Sequence, residues 1–188
     1  MSKVKLGPQT LLVPLPVTLV TAQSGDEKPN IITISWVGIC NSVPPMIGVG
    51  IRENRHSYHL VKDSGEFVVN IPGDDTVSDA DLCGNISGKD HDKFEKTNYT
   101  AIPGDKVKAP LLKECPINME CIVRHTLKLG SHDFFVGEIV ETHIDENCWE
   151  NNKLVVENVK PFAYMTKKRS YYGGFSQIFG DYGFSKKG

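Results

Sequence analysis

Apolar residues in this sequence come in short runs that alternate with polar residues and end at glycine, proline or other turn formers. Ile32, Ile34 and Trp36, for example, share one face of an extended segment, while Thr33 and Ser35 lie on the other. A period of two residues is typical of a β-strand. Because such runs recur along the chain and helical stretches are short, the sequence predicts a mainly β fold, built as a barrel rather than from βαβ units.

The same patterns give approximate bounds for the elements. A hairpin is predicted from residues 17–21 and 30–37 around a turn cluster at 25–29. Further strands are predicted at 46–51, 66–71, 117–129, 134–144, 153–159 and 161–165. Short helices are predicted at 56–62 and 76–83, with one helical turn at 92–96.

The whole chain reads as a single domain, 1–170, followed by a tail, 171–188, that is rich in glycine and aromatic residues. No apolar run approaches the roughly 18 residues of a membrane span, and the first residues lack the apolar centre of a signal peptide. We therefore expect a cytoplasmic protein that does not enter a membrane. Five cysteines without a C-x-x-C pair indicate reduced thiols rather than a disulfide framework or a zinc site.

Charge and motifs exclude several classes of function. The net charge of −2 argues against binding to duplex nucleic acid, which relies on many cationic phosphate contacts. Dinucleotide-binding, P-loop, serine-hydrolase and zinc-protease motifs are absent from the sequence. His56 and His59 could share a helix face, but no acidic or thiol third ligand accompanies them. We therefore predict no metal ligand. A Cys–His nucleophile pair stays open at this point, although no single thiol stands out for that role.

Three polar segments at strand ends remain as candidate binding elements, at 30–36, 52–57 and 87–94. The second combines Arg52, Asn54, Arg55, His56 and Ser57 at a predicted strand-to-helix turn. A helix N-terminus presents free N–H groups to an anion, and arginine suits phosphate geometry. The alternative is a helix start capped by Asn54, with both arginines in solvent.

These segments, taken in order, resemble the flavin reductase-like, FMN-binding split-barrel family, and within it the flavoredoxin type. The resemblance covers residues 11–94 closely and continues more weakly to Tyr164. No single motif is decisive, but the ordered set is specific. The matching pieces are 14–21, 29–36, Pro44-Pro45, 52–57, 65–72 and 87–94.

The resemblance implies a Greek-key barrel that binds FMN in a groove, usually at a homodimer interface. It implies that Arg52, Asn54 and Ser57 hold the phosphate. It also implies that the isoalloxazine ring and ribityl chain are lined by Asn30, Thr33, Ser35 and Trp36. Lys93, together with Lys89, would reach the flavin from the third segment, and Phe162 or Tyr164 would pack on the ring from the same or the partner subunit.

Three functions are compatible with this resemblance. In the first, the protein is an NAD(P)H-dependent flavin reductase in which bound FMN takes hydride at N5 and passes electrons on. In the second, it is a flavoredoxin-like carrier that exchanges electrons with a redox partner protein and has no nicotinamide site. In the third, it is a non-redox barrel that binds another phosphate-bearing ligand. The sequence contains no nicotinamide-binding motif that would distinguish NADH from NADPH.

Overall fold

The computed structural model describes residues 2–175, 177–180, 182, 183 and 185, so the predicted tail lies partly outside the described residues. The strands are β1 (Leu15–Pro16), β2 (Thr18–Ala22), β3 (Asn30–Ile34), β4 (Val37–Ser42), β5 (Pro45–Ile51), β6 (Glu66–Ile71), β7 (Ala101–Ile102), β8 (Leu111–Leu112), β9 (Ile117–Lys128), β10 (Asp133–Ile144), β11 (Trp149–Glu150), β12 (Lys153–Leu154), β13 (Ala163–Met165) and β14 (Ser170–Tyr172). The α-helices are α1 (His56–Ser64), α2 (Val77–Asn85), α3 (Lys93–Lys96) and α4 (Val156–Val159).

A seven-stranded antiparallel sheet organises the molecule, in the order β3-β2-β6-β9-β10-β5-β4. The predicted N-terminal hairpin is confirmed, since β2 pairs with β3 from Thr18 opposite Ile34 to Ala22 opposite Asn30. The predicted long hairpin is also confirmed, as β9 and β10 pair along nearly their whole length. Among the described helices, none is long and apolar enough to cross a membrane.

The connection between β3 and β4 curls this sheet into a barrel-like shape. These strands are the two edges of the sheet, yet only Ser35 and Trp36 separate them in the sequence. A flat sheet of seven strands would hold its edges about 29 Å apart. The short link can span only about 11 Å. The edges must therefore approach each other, and Ser35 and Trp36 lie at the seam where they meet.

Both faces of the sheet are covered. Ile32 and Ile34 of β3 belong to a core that includes Leu60 and Val61 of α1. Ile31, which points to the opposite face, belongs to a second core with Ala80 and Cys83 of α2. Alternating side chains of one strand thus enter different cores, which explains why β2 and β3 are almost entirely buried.

A buried carboxylate joins the long strand β9 to the loop before it. Glu120 is fully buried, and it accepts hydrogen bonds from the backbone N–H groups of Asp105, Lys106 and Val107 at 3.0, 2.8 and 2.8 Å. His143 Nε2 lies 2.7 Å from Oε1 of Glu120, the oxygen that also accepts from Asp105, while Lys106 and Val107 donate to Oε2. Burial alone would raise the pKa of Glu120, but the hydrogen bonds from His143 and the three amides lower it below its ordinary value.

Two strand predictions are wrong. The predicted strand 30–37 ends at Ile34, because the chain leaves the sheet there to cross the seam. The predicted strand 153–159 is instead the short strand β12 followed by α4, whose last residue, Val159, is buried. In addition, β4 was not predicted, since it lies at an exposed edge and has no alternating apolar pattern.

Candidate functional site

A groove of about 430 Å³ opens at the seam of the barrel. That volume lies within the range of small-molecule sites. One wall comes from the β3–β4 link, the end of β5 and the β9–β10 turn, and contains Ser35, Trp36, Gly50, Arg52 and His132. The opposite wall comes from α2 and the β13–β14 hairpin, and contains Asp81, Gly84, Asn85, Tyr164, Arg169 and Tyr171.

The first wall carries a stacked pair of rings. Trp36 and His132 lie 5.8 Å apart, centroid to centroid, with their planes at 7°. Arg52 donates from Nε to Nε2 of His132 at 3.3 Å. Burial first, and then the charges of Arg52 and Arg55, lower the pKa of His132. The imidazole is therefore neutral at pH 7 and forms a flat surface together with the indole.

The opposite wall is anchored by a hydrogen bond between helix and hairpin. Tyr171 donates from its hydroxyl to Oδ1 of Asp81 at 2.7 Å, and its ring lies 5.7 Å from that of Tyr164. Arg169 reaches the groove from the turn between β13 and β14, where its backbone has a φ of 55°. A non-glycine residue with this left-handed conformation is uncommon.

A smaller pocket of about 150 Å³ adjoins the groove, and the two share Ile32, Arg55 and Gly84 as lining residues. Its lining is mostly polar. The side chains come from β3, from the start of α1, and from the segment between α2 and α3: Asn30, Asn54, His56, Ser57, Ser87 and Lys93.

The N-terminus of α1 opens into this smaller pocket. The N-cap residue is Arg55, not Asn54 as in the sequence-based alternative, and its side chain forms no capping hydrogen bond within the described part of the chain. Uncapped first-turn N–H groups and the helix dipole both favour an anion. Ser57 is fully buried beside them, and its hydroxyl oxygen accepts a hydrogen bond from Asn30 Nδ2 at 2.7 Å.

Lys93 is buried at the base of the smaller pocket, with only 3% of its surface exposed. Its ammonium donates to the backbone oxygens of Ile31 and Cys83 at 2.7 and 2.6 Å, so it ties β3 to α2. Burial is the main cause that lowers the pKa of Lys93 to about 8. An ammonium has three donors, and the two carbonyls use only two of them.

Backbone and imidazole approach each other closely on the far side of this pocket. A Cβ added at Gly88 would lie 2.3 Å from Asn30 Oδ1 and 2.6 Å from a ring carbon of His56. Only glycine permits this approach. Nδ1 of His56 is buried, and it has no hydrogen-bond partner among the described residues.

The sequence-predicted site residues divide between the two pockets. The groove is lined by five of them: Thr33, Ser35, Trp36, Arg52 and Tyr164. The smaller pocket is lined by four: Asn30, Asn54, Ser57 and Lys93. Two others lie on neither wall. Lys89 is exposed in the loop before α3. Phe162 is buried in the second core, with its ring 5.8 Å from that of Tyr171.

Several groove residues were not predicted from the sequence. They come from segments distant in sequence and were not among the expected site residues: Asp81, His132, Arg169 and Tyr171. The groove and smaller pocket together gather three arginines and a buried lysine against a single aspartate. The described residues contain no group of three His, Cys, Asp or Glu side chains that could hold a metal ion.

Comparisons with known proteins agree with this architecture. Residues 10–172 match the family described as "Flavin reductase like domain". An uncharacterized protein of Archaeoglobus fulgidus is 41% identical over 135 residues, which is 71% of this chain and 75% of that protein.

Two solved structures are similar over almost the whole chain. Flavoredoxin of Desulfovibrio vulgaris (Miyazaki F) superposes with a TM-score of 0.90 at 33% identity, covering 98% of this chain and 100% of that one. Flavoredoxin from Methanosarcina acetivorans superposes with a TM-score of 0.88 at 30% identity, covering 99% of this chain and 100% of that one.

Proposed function

The chain belongs to the flavin reductase-like family and has its split-barrel fold, and from this premise we propose that it binds FMN at the seam and uses it in electron transfer. The observation that carries the proposal is the junction of the two pockets. An open groove with a flat ring pair joins a small polar pocket at a helix N-terminus. This pairing suits a flat ring system joined by a short chain to a phosphate.

The residues present fit such a ligand. In the proposed complex, the N–H groups of α1, Ser57 and Arg55 hold the phosphate, and Asn54 lies beside them. Trp36 and Tyr164 flank the ring system in the groove, and Arg52 adds a positive charge to the wall. Asn30 fixes the Ser57 hydroxyl through the hydrogen bond that it donates.

When bound, FMN supplies an N5 atom that accepts hydride and a ring that passes electrons on. The chain's own residues then act by binding and electrostatics rather than by acid–base chemistry. The cations around the groove favour negative charge on a ligand there. Lys93 reinforces this field, because its charge is buried where the surroundings screen it less than water does.

We propose NAD(P)H:flavin oxidoreductase activity as the reaction. A groove open to solvent beside the ring pair gives a nicotinamide access to a ligand in it, as hydride transfer needs. One specific observation favours a second candidate, an electron carrier that has no nicotinamide site. The two solved structures described above, at 33% and 30% identity, are flavoredoxins by name.

We further propose that the protein is a homodimer in the cytoplasm. A mainly apolar hollow of about 520 Å³ borders the groove and shares Ser35 and Trp36 with it. Its wall includes the exposed side chains of Leu12 and Ile39. Exposed apolar surface of this kind is typical of protein interfaces. A second copy seated here would lie beside the flavin.

Anaerobic mixing of the FMN-loaded protein with NADH or NADPH tests the proposed reaction. Bleaching of the flavin absorbance, with matching loss of nicotinamide absorbance, is the expected result. A protein that binds FMN but is reduced only by dithionite would support the carrier instead. Absence of any flavin binding would contradict both.

A further inference from the structure

One imidazole in the smaller pocket has an unsatisfied buried nitrogen. His56 is the first residue of α1 and lines the pocket, and its Nδ1 is buried with no hydrogen-bonding partner among the described residues. A buried polar atom without a partner is costly, and native structures rarely leave one unexplained. A ligand atom in the pocket would supply the missing partner.

The charges around His56 come from several elements. His59, one helical turn along α1, meets its ring edge-on at 4.9 Å and forms a contact of 3.2 Å with Glu27 from the β2–β3 connection. Burial is the main cause that lowers the pKa of His56, and His59 contributes next. The other charged groups that act on His56 or line its pocket are Glu27, Lys89, Lys93 and Arg55.

We propose that His56 is a proton-linked contact for the ligand's phosphate: it is neutral in the free protein and takes up a proton when the phosphate binds. Both ring nitrogens of the protonated imidazole are donors, so Nδ1 can donate to a phosphate oxygen. This inference rests on the proposed function, because it assigns a role to His56 within the proposed phosphate pocket.

The sign of the linkage follows from the two states. A phosphate beside His56 raises its pKa relative to the free protein. The gain in FMN affinity is therefore complete at pH values below the pKa of His56 in the free protein. It is lost as the pH rises through the pKa of His56 in the complex. Lys93, whose pKa is about 8, would take up a proton on phosphate binding in a separate, higher pH range. The phosphate itself titrates near pH 6 in the opposite sense.

Lys93 and the phosphate titrate in the same way in wild-type protein and in His56→Gln. Their contributions to the pH dependence of FMN affinity therefore cancel when the two proteins are compared. Fluorescence titration with FMN should show the variant weaker by about tenfold near pH 6 and by less than about twofold near pH 9. Riboflavin, which lacks the phosphate, should bind both proteins equally. His125→Gln, the same change at an exposed position on β9, should match the wild type throughout.

If the ratio of the FMN affinities of His56→Gln and wild type did not change with pH, the assignment would be overturned. An equal loss of riboflavin affinity in the variant would also overturn it. Failure of the wild type to bind FMN at any pH would instead refute the proposed function. Calorimetry of wild-type protein at about pH 7, in two buffers of different ionisation heat, needs no variant. Net proton uptake with FMN is expected, and net release would contradict the proposal.

Discussion

The buried hydroxyl of Ser57 accepts one hydrogen bond within the protein and can donate another to a ligand. Its oxygen accepts from Asn30, so its O–H can donate to a phosphate. We predict that Ser57→Ala weakens FMN binding by about one to two decades, the loss of a hydrogen bond to a charged group. Riboflavin affinity, measured by the same fluorescence titration, should barely change.

Ser57→Thr is the matched control, since it keeps the hydroxyl and adds one methyl group. Its FMN affinity should stay closer to the wild type than to the alanine variant. Equal losses of FMN and riboflavin affinity in Ser57→Ala would show that this hydroxyl does not face the phosphate.

Lys93 combines a structural role with the proposed role in binding. Lys93→Met leaves the carbonyls of Ile31 and Cys83 without their donor. We predict a loss of about 2 kcal/mol in the free energy of unfolding, or roughly 4–8 °C in Tm. FMN affinity, the flavin midpoint potential or both should also fall, because a buried positive charge is lost.

Lys89→Met is the paired control, since Lys89 is exposed in the same segment. Thermal melts, titration and redox potentiometry of Lys89→Met should match the wild type. If Lys93→Met also kept wild-type affinity and potential, the segment 87–94 would have no role in flavin binding.

At the residue scale, the sequence predicted the lining of the smaller pocket better than that of the groove. Ser57 was predictable because a local pattern marks a helix start after a strand. His132, Arg169 and Tyr171 were not, because they reach the groove only through the pairing of β10 with β5 and of β13 with β14. No local pattern records such pairings.

At the scale of elements, Glu120 connects β9 to the loop 103–108. We predict that Glu120→Gln lowers the free energy of unfolding at pH 7 by about 3 kcal/mol, because a buried charge held by hydrogen bonds is removed. The lowered pKa of Glu120 means that its stabilisation is present above its unfolded value, near 4.5, and is lost as the pH falls through the folded value.

Denaturant unfolding of both proteins between pH 7 and about pH 3.5 measures this effect. The difference in the free energy of unfolding between wild type and Glu120→Gln should become smaller as the pH falls. Glu138→Gln is the control, because Glu138 forms a partly exposed ion pair with Arg124 at 2.7 Å and should contribute less than about 1 kcal/mol. A difference that is constant with pH would refute the role given to the Glu120 carboxylate.

The elements predicted most accurately are those with strong internal patterns. The strand Glu66–Ile71 was predicted with its exact bounds, and α1 within two residues. The strand prediction for residues 153–159 was wrong because the valines there have high strand propensity. The packing of Val159 favours a helical turn instead. Tertiary packing overrides local propensity in such short segments.

At the scale of the molecule, closure of the sheet creates the proposed site. The link of Ser35 and Trp36 brings the two sheet edges together, and it lines both the groove and the neighbouring apolar hollow. A curled sheet with an open seam thus places the groove and the apolar hollow side by side. The barrel class was predictable from the strand pattern, but the position of the seam depends on which strands form the edges.

We predict a two-fold homodimer through the apolar hollow at the seam. Light scattering at micromolar concentration should give twice the chain mass of 20.8 kDa. Ile39→Lys should shift the protein toward monomer, because Ile39 is 66% exposed on the wall of the hollow. Leu154→Lys, at another exposed apolar residue on β12, should leave the dimer intact. A monomeric wild type with FMN bound would refute the dimer.

Titration of the flavin-free protein with FMN and with riboflavin, followed by flavin fluorescence, tests the central proposal most directly. We expect one FMN per chain and an affinity for FMN well above that for riboflavin, because the proposed phosphate contacts at the start of α1 are made by FMN alone. No binding of FMN, or equal affinities for the two flavins, would contradict it.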